Sequence, residues 1–105
     1  MREIRIILPR DAGERAQQWL EVELAKTFGG WTRALTFGAW LSDGKVETES
    51  GYTYDIAVKD EPMSDFALKR IVRELFARTT EKAIYVRERT GQVVIYDRNT
   101  AAIAA

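Results

Sequence analysis

The dipeptide Asp43-Gly44 lies between two runs in which apolar and polar residues alternate. Asp-Gly flanked by such runs is a strong signal for a β-hairpin with a two-residue turn. A turn of that kind places Ser42 opposite Lys45, so that the residue numbers of every later cross-strand pair sum to 87. The dipeptide therefore predicts a long hairpin within residues 27–58 and sets its register.

This register divides the hairpin into two different faces. One face receives the larger pairs: Leu41/Val46, Ala39/Thr48, Phe37/Ser50, Leu35/Tyr52, Arg33/Tyr54 and Trp31/Ile56. The other receives Trp40/Glu47, Gly38/Glu49, Thr36/Gly51, Ala34/Thr53 and Thr32/Asp55. A slip of one residue would bury three carboxylates, so the larger set is predicted to face the core. We expect Leu35, Phe37, Tyr52 and Ile56 to be buried against helices, with Thr36, Gly38 and Glu49 on the opposite, open face.

The rest of the chain alternates between strand and helix patterns. Strand periodicity covers Glu3 to Leu8, and helical spacing follows from Asp11, a good N-cap, to a stop at Gly29. After the hairpin, helical spacing returns from Pro62 to about Thr79. Two short strand patterns, Lys82 to Arg87 and Gln92 to Asp97, flank Thr90-Gly91. Arg98 to Ala105 is expected to be a flexible tail.

The predicted order is therefore β-α-β-β-α-β-β. With a central antiparallel hairpin, this order indicates the α+β ferredoxin-like fold, a split βαβ arrangement with an antiparallel sheet and two helices on one face. The chain of 105 residues has the usual size of one domain. We expect a single domain over residues 1–97, with one sheet face covered by the helices and the other left open.

Composition excludes several kinds of chemistry. The chain has no cysteine and no histidine, which excludes zinc sites built on those residues, cysteine nucleophiles and imidazole catalysis. No glycine-rich phosphate or dinucleotide motif is present. Sixteen basic residues balance sixteen acidic ones, so there is no overall attraction to nucleic acid or to a membrane. The sequence shows no signal peptide and no apolar run that could span a bilayer, so a cytoplasmic protein is expected.

The open face carries the candidate binding residues. Glycine is costly inside a strand, and Gly38 and Gly51 suggest that another backbone or a ligand approaches closely. A plain surface that merely avoids exposed bulk would also carry small residues. Trp40 is harder to explain as inert surface. The candidate residues are Thr36, Gly38, Trp40, Glu47, Glu49 and Asp55 of the hairpin, with Arg5 and Arg87 from the neighbouring strands.

Two other functions use the same strands. Glu47 and Glu49 lie two residues apart on one face, where their carboxylates could share a magnesium ion or act in acid/base catalysis, although such a pair also suits a charged strand end. Residues 50–57 superficially resemble the third-strand signature of the RNA recognition motif, through Gly51, Tyr52 and Tyr54. The register places both tyrosines on the core face rather than on an exposed stacking surface, which makes nucleic acid an unfavoured partner.

One family resemblance covers most of residues 3–96. It rests on Phe28-Gly29-Gly30-Trp31-Thr32, on Gly38-Ala39-Trp40, on the Asp-Gly turn and on the downstream Glu49. These features resemble small uncharacterised ferredoxin-like proteins of prokaryotes, their plasmids and phages, which carry Gly-Gly-x-Thr, Gly-x-Trp or Gly-x-Tyr, and a later Glu. The resemblance implies the same fold and an accessory role in a phage or plasmid, and it implies no known activity.

The sequence as a whole favours a binding module over an enzyme. We assign no catalytic residue, no metal ligand and no cofactor. The expected partner is a second copy of the chain, forming a homodimer in which Trp40 covers the Thr36/Gly38 strip and Glu47 or Glu49 meets Arg5 or Arg87. Another protein partner is the alternative.

Overall fold

The computed structural model describes residues 1–88 and 93–99. It contains five strands and two long helices. They are β1 (Arg2–Pro9), α1 (Glu14–Phe28), β2 (Thr32–Ser42), β3 (Lys45–Val58), α2 (Pro62–Arg78), β4 (Ala83–Glu88) and β5 (Val93–Asp97). A short 3-10 turn, Arg10–Ala12, lies between β1 and α1. The element order is the one that the sequence predicts.

The strands form one sheet in the order β2-β3-β1-β4-β5, and every neighbouring pair is antiparallel. Both helices contribute to a single core cluster with the same face of the sheet. This is the ferredoxin-like α+β arrangement, extended by β5 at one edge, and it confirms the predicted fold class. The opposite sheet face carries no helix among the residues described.

The hairpin has the predicted register throughout, from Ser42 opposite Lys45 to Thr32 opposite Asp55. Asp43 and Gly44 both have positive φ, 50° and 77°. Positive φ at both central residues is what the tight turns of right-handed hairpins require, and Asp and Gly tolerate it. The local chemistry of two residues therefore determines which side chains share a face over both strands.

The core lies between the sheet and the two helices. Side chains at even-numbered positions of β1 and of residues 54–58 in β3 point into the core. One apolar stripe from each helix packs against them. Its fully buried side chains include Ile4, Ile6, Leu8, Leu20, Leu24, Tyr54, Ile56, Val58, Ile71, Val72 and Leu75. The prediction that Ile56 is buried is confirmed.

The start of α1 differs from the prediction. Asp11 lies inside the 3-10 turn and caps no helix through its side chain; α1 begins at Glu14, after Gly13. Gly13 has φ of 96° and donates its N–H to the carbonyl of Arg10. That backbone conformation suits glycine and ends the turn before the helix can begin. The helix end is as predicted, with Gly29 in the left-handed region donating to the carbonyl of Ala25.

The larger error concerns Leu35 and Phe37, which were expected to be buried and are 81% and 74% exposed. The strands β2 and β3 continue past Pro9, the last residue of β1 that pairs with β3, at Gly51. Residues 37–50 therefore form a two-stranded projection, which we call the arm. Parity places the side chains of Leu35 and Phe37 on the helix side, but the helices do not extend over the arm or over this part of the edge strand β2.

Some expectations fall at the end of the chain. Residues 100–105 of the expected tail, and the Thr90-Gly91 turn, lie outside the residues described. Arg98 donates hydrogen bonds to the backbone carbonyls of Phe76, Thr79 and Glu81. These carbonyls lie in the last turn of α2 and in the segment that follows it. In residues 1–88 and 93–99 there is no helix of the length and apolarity that crossing a membrane requires.

Candidate functional site

All eight candidate binding residues lie on the open face, in two groups. Arg5, Asp55 and Arg87 are cross-strand neighbours near the middle of the sheet. Thr36, Gly38, Trp40, Glu47 and Glu49 lie together along the arm and its base. Asp55 lies six positions after Glu49 in β3, which corresponds to about 20 Å along a strand. The two groups are therefore separate places on one surface.

The first group is an ion pair rather than an open set of polar groups. Nε and an Nη nitrogen of Arg5 donate to the two carboxylate oxygens of Asp55 at 2.7 and 3.0 Å. These hydrogen bonds hold the pKa of Asp55 below its ordinary value, and the nearby charge of Arg87 acts in the same direction. Arg5 is therefore already engaged within its own chain. The expected contact of Arg5 with a glutamate of a second copy stays a prediction, and it would have to compete with this intrachain pair.

In the second group, Glu49 has acidic neighbours that the sequence reading missed. Burial raises the pKa of Glu49, and the negative charge of Asp11 raises it further. Burial also raises the pKa of Glu81, with added repulsion from Glu49 and Asp11. The topology brings these groups near one another, because Asp11 follows the end of β1 and Glu81 precedes the start of β4, which pairs with β1. The β1–β4 pairing of a split βαβ fold was the signal that could have revealed them.

The two glycines have different explanations. A Cβ added to Gly51 would collide with the carbonyl oxygen of Leu8, so the close approach there comes from β1 of the same chain. A Cβ added to Gly38 would meet nothing within 4 Å. The internal packing of the sheet therefore requires glycine at position 51. Of the two glycines, only Gly38 still fits the prediction that another molecule approaches the backbone.

The aromatic residues follow the predicted parity. Trp40 is half exposed on the open face. Tyr54 is fully buried on the helix side, where its hydroxyl donates to the carboxylate of Glu21 at 2.7 Å. Tyr52 lies half-buried on that same side, with the guanidinium of Arg33 4.9 Å from its ring centre. These two tyrosines offer no stacking surface on the open face.

A small polar network connects the base of β2 to α1. The carboxylate of Glu21 accepts hydrogen bonds from Tyr54, Gln17 and Arg33, and its backbone carbonyl accepts one from the indole of Trp31. Burial acts to raise the pKa of Glu21, but the hydrogen bonds outweigh it and the pKa lies below its ordinary value. The network ties Trp31, Arg33 and Tyr54 of the hairpin to α1.

The most unusual surface is one that sequence reading assigned to the core. Four large apolar side chains are exposed along the helix side of the arm and its base, and we call them the apolar strip: Leu35, Phe37, Leu41 and Val46. A groove of about 480 Å³ lies at the end of the strip formed by Leu35 and Phe37. Its lining residues are Arg10, Leu35, Thr36, Phe37, Ser50, Gly51 and Tyr52. Within residues 1–88 and 93–99, no three acidic side chains are arranged to hold a metal ion.

No protein-family model and no curated protein sequence matches the chain. Solved structures do share its fold. A phage SAM lyase in complex with S-methyl-5'-thioadenosine aligns with a TM-score of 0.61 and 15% identity, covering 90% of this chain and 86% of that one. The periplasmic divalent cation tolerance protein CutA from Archaeoglobus fulgidus aligns at 0.56 and 12% identity, covering 83% and 79%.

A third solved structure, the PII-like protein CutA from Nostoc sp. PCC 7120 in its apo form, aligns with a TM-score of 0.55 and 18% identity, covering 97% of this chain and 85% of that one. Identities this low establish a common fold and nothing about activity. They agree with the ferredoxin-like part of the resemblance seen in the sequence.

Proposed function

We propose that the single domain of residues 1–97 is a self-associating binding module and that a second copy of the chain covers its arm. The observation that carries the proposal is the apolar strip, whose four side chains are 70–81% exposed in the isolated chain. Contiguous apolar surface of this kind on a globular protein marks an interaction site. Here it lies on a projecting element that another copy can reach.

The opposite face of the arm supports the same proposal. Trp40 is half exposed there, and beside it Gly38 leaves open space above the backbone. The predicted twofold contact through Trp40, Thr36 and Gly38 remains part of the proposal, with Arg87 as the available cation now that Arg5 is paired with Asp55.

The test compares two matched substitutions by sedimentation velocity over a range of protein concentrations. Leu41→Asp places a charge in the apolar strip, and Val22→Asp places the same charge at another exposed apolar position, on α1. Wild type and Val22→Asp are expected to associate as the concentration rises, whereas Leu41→Asp is expected to remain a monomer. Far-UV circular dichroism checks that both variants fold.

Two results would contradict self-association through the arm. A wild-type chain that remains a monomer at every concentration would exclude it. An assembly that Leu41→Asp leaves intact would move the interface away from the strip.

A second candidate function is the cleavage of S-adenosylmethionine on the open face. One observation favours it: Glu49 lies half-buried on the open face where the arm meets the sheet. Burial and the negative charge of Asp11 raise the pKa of this carboxyl group, which suits proton exchange. The likeness to a phage SAM lyase suggests the substrate, although it extends only to the fold. In this candidate function Glu49 would accept a proton from the carbon next to the one that carries sulfur. The carbon–sulfur bond would break with its electrons going to sulfur, which releases S-methyl-5'-thioadenosine and an unsaturated amino acid.

This candidate is tested by incubating the protein with S-adenosylmethionine and measuring S-methyl-5'-thioadenosine by liquid chromatography, with and without magnesium. Glu49→Gln is expected to abolish product formation. Glu47→Gln, which changes the carboxylate two residues away on the same face, is expected to retain it. No product from the wild-type protein, or equal activity in both variants, would reject the assignment.

A further inference from the structure

The groove at the Leu35 end of the apolar strip has the size and lining of a small-molecule pocket. Its walls are the side chains of Leu35 and Phe37 from β2 and Tyr52 from β3, and Ser50 adds a hydroxyl group. At about 480 Å³, the groove falls within the range of small-ligand pockets. Mostly apolar walls with a few polar groups are also typical of such pockets.

The groove contains one charge, the guanidinium of Arg10. This side chain is exposed and has no carboxylate within ion-pair distance in residues 1–88 and 93–99. Other arginines of the chain are engaged: Arg2, Arg5, Arg33, Arg70 and Arg78 pair with carboxylates, and Arg98 with carbonyls. No acidic side chain lines the groove. Its electrostatic character therefore favours an anion.

The internal packing of the sheet holds the floor of the groove in place. Gly51 lies directly against the carbonyl of Leu8, so β3 cannot shift toward β1. Arg33 covers one side of the Tyr52 ring at 4.9 Å, and Glu21 fixes Arg33 at 2.7 Å. A preformed floor reduces the ordering cost of binding.

We propose that this groove binds a planar aromatic molecule carrying a carboxylate, with the ring between Phe37 and Tyr52 and the carboxylate on Arg10. Aromatic walls favour offset or edge contacts with a flat ring, and a guanidinium binds a carboxylate through two parallel hydrogen bonds. Every residue that lines the site belongs to one chain, but Leu35 and Phe37 also belong to the apolar strip. A ligand and a second copy of the chain would therefore compete for this end of the strip.

The experiment uses indole-3-acetate and its neutral isostere indole-3-acetamide as probes, with titration calorimetry on the full chain. Wild type is expected to bind the acid about tenfold more tightly than the amide, since charge-assisted hydrogen bonds discriminate at this level or above. Arg10→Gln is expected to bind both probes with the affinity of the amide. Phe37→Ala is expected to weaken both probes to a similar extent.

The same titrations on Leu41→Asp separate this proposal from self-association. Because Leu41 does not line the groove, the variant is expected to bind the acid with the affinity of dilute, monomeric wild type. Binding by Leu41→Asp, together with wild-type binding that weakens as the protein concentration rises, would show that a second copy competes for the groove and would support the ligand site. No binding by Leu41→Asp would reject the ligand site. Equal affinity for acid and amide in wild type, an undiminished preference in Arg10→Gln, or no binding at millimolar probe would also overturn it.

Discussion

Glu47 and Glu49 point to the same face of β3, yet their surroundings differ. Glu47 is exposed near the end of the arm, whereas Glu49 is half-buried where the arm meets the sheet. The raised pKa of Glu49 reflects that position and the repulsion from Asp11. This difference could not be predicted from the sequence, because any Glu-x-Glu in a strand has the same spacing.

The raised pKa of Glu49 predicts the sign of a stability change. A carboxyl with a folded pKa above its unfolded value destabilises the fold when ionised, and this cost disappears as the pH falls below the unfolded value. Glu49→Gln is expected to raise the thermal midpoint at pH 7, with the difference from wild type closing near about pH 4. Glu47→Gln serves as the control. A midpoint lowered at pH 7 by Glu49→Gln would show that the ionised form is stabilising.

Tyr54 offers a second test at a single side chain. Its buried hydroxyl donates to Glu21, and hydrogen bonds to charged groups contribute about 1.5–3 kcal/mol to stability. Tyr54→Phe is expected to lower the free energy of unfolding by that amount in urea titrations. Tyr52→Phe, which keeps its ring beside Arg33, is expected to change it by less than about 0.5 kcal/mol. Equal effects would assign no special role to the Glu21 network.

Among the elements, the hairpin was the most predictable and the most misleading. Asp43 and Gly44 determine its register because turn conformation depends on the turn residues themselves. Whether a face is covered depends on how far the helices and β1 extend. The sequence of the hairpin contains no information about those lengths. Leu35 and Phe37 were therefore placed on the correct side of the sheet and wrongly expected to be buried.

The two strand glycines give a matched test of the sheet. Gly51→Ala would force a Cβ against the carbonyl of Leu8 and is expected to cost about 1–3 kcal/mol or more in unfolding free energy, as overpacking does. Gly38→Ala meets open space in the isolated chain and is expected to be tolerated at low protein concentration. A tolerated Gly51→Ala would mean that β1 and β3 separate more easily than the structure indicates.

For the whole molecule, an arm covered by a second copy makes stability depend on protein concentration. Association stabilises the native state by mass action, so the thermal midpoint of wild type is expected to rise with concentration. The midpoint of Leu41→Asp is expected to stay constant. Leu35→Ala, which a buried position would make costly, is expected to have little effect on the dilute monomer because this side chain is exposed.

The candidate site was also only partly predictable at this level. Its eight residues share one face because strand parity is a local property. The pairing of Arg5 with Asp55 follows once β1 is known to lie beside β3. The groove could not be foreseen, because it arises where the 3-10 turn after β1 meets the uncovered base of the arm, and Arg10 belongs to no strand or helix pattern.

The arm also divides the chain into two regions with different opening energies. Beyond Pro9, the amides of residues 37–50 are hydrogen-bonded within a two-stranded ribbon, while the rest of the hairpin belongs to a five-stranded sheet. Isolated two-stranded ribbons open readily in water, so arm amides in the monomer should exchange with deuterium through local opening, long before the strands of the core. Slow exchange confined to the arm would then report directly that another molecule covers it.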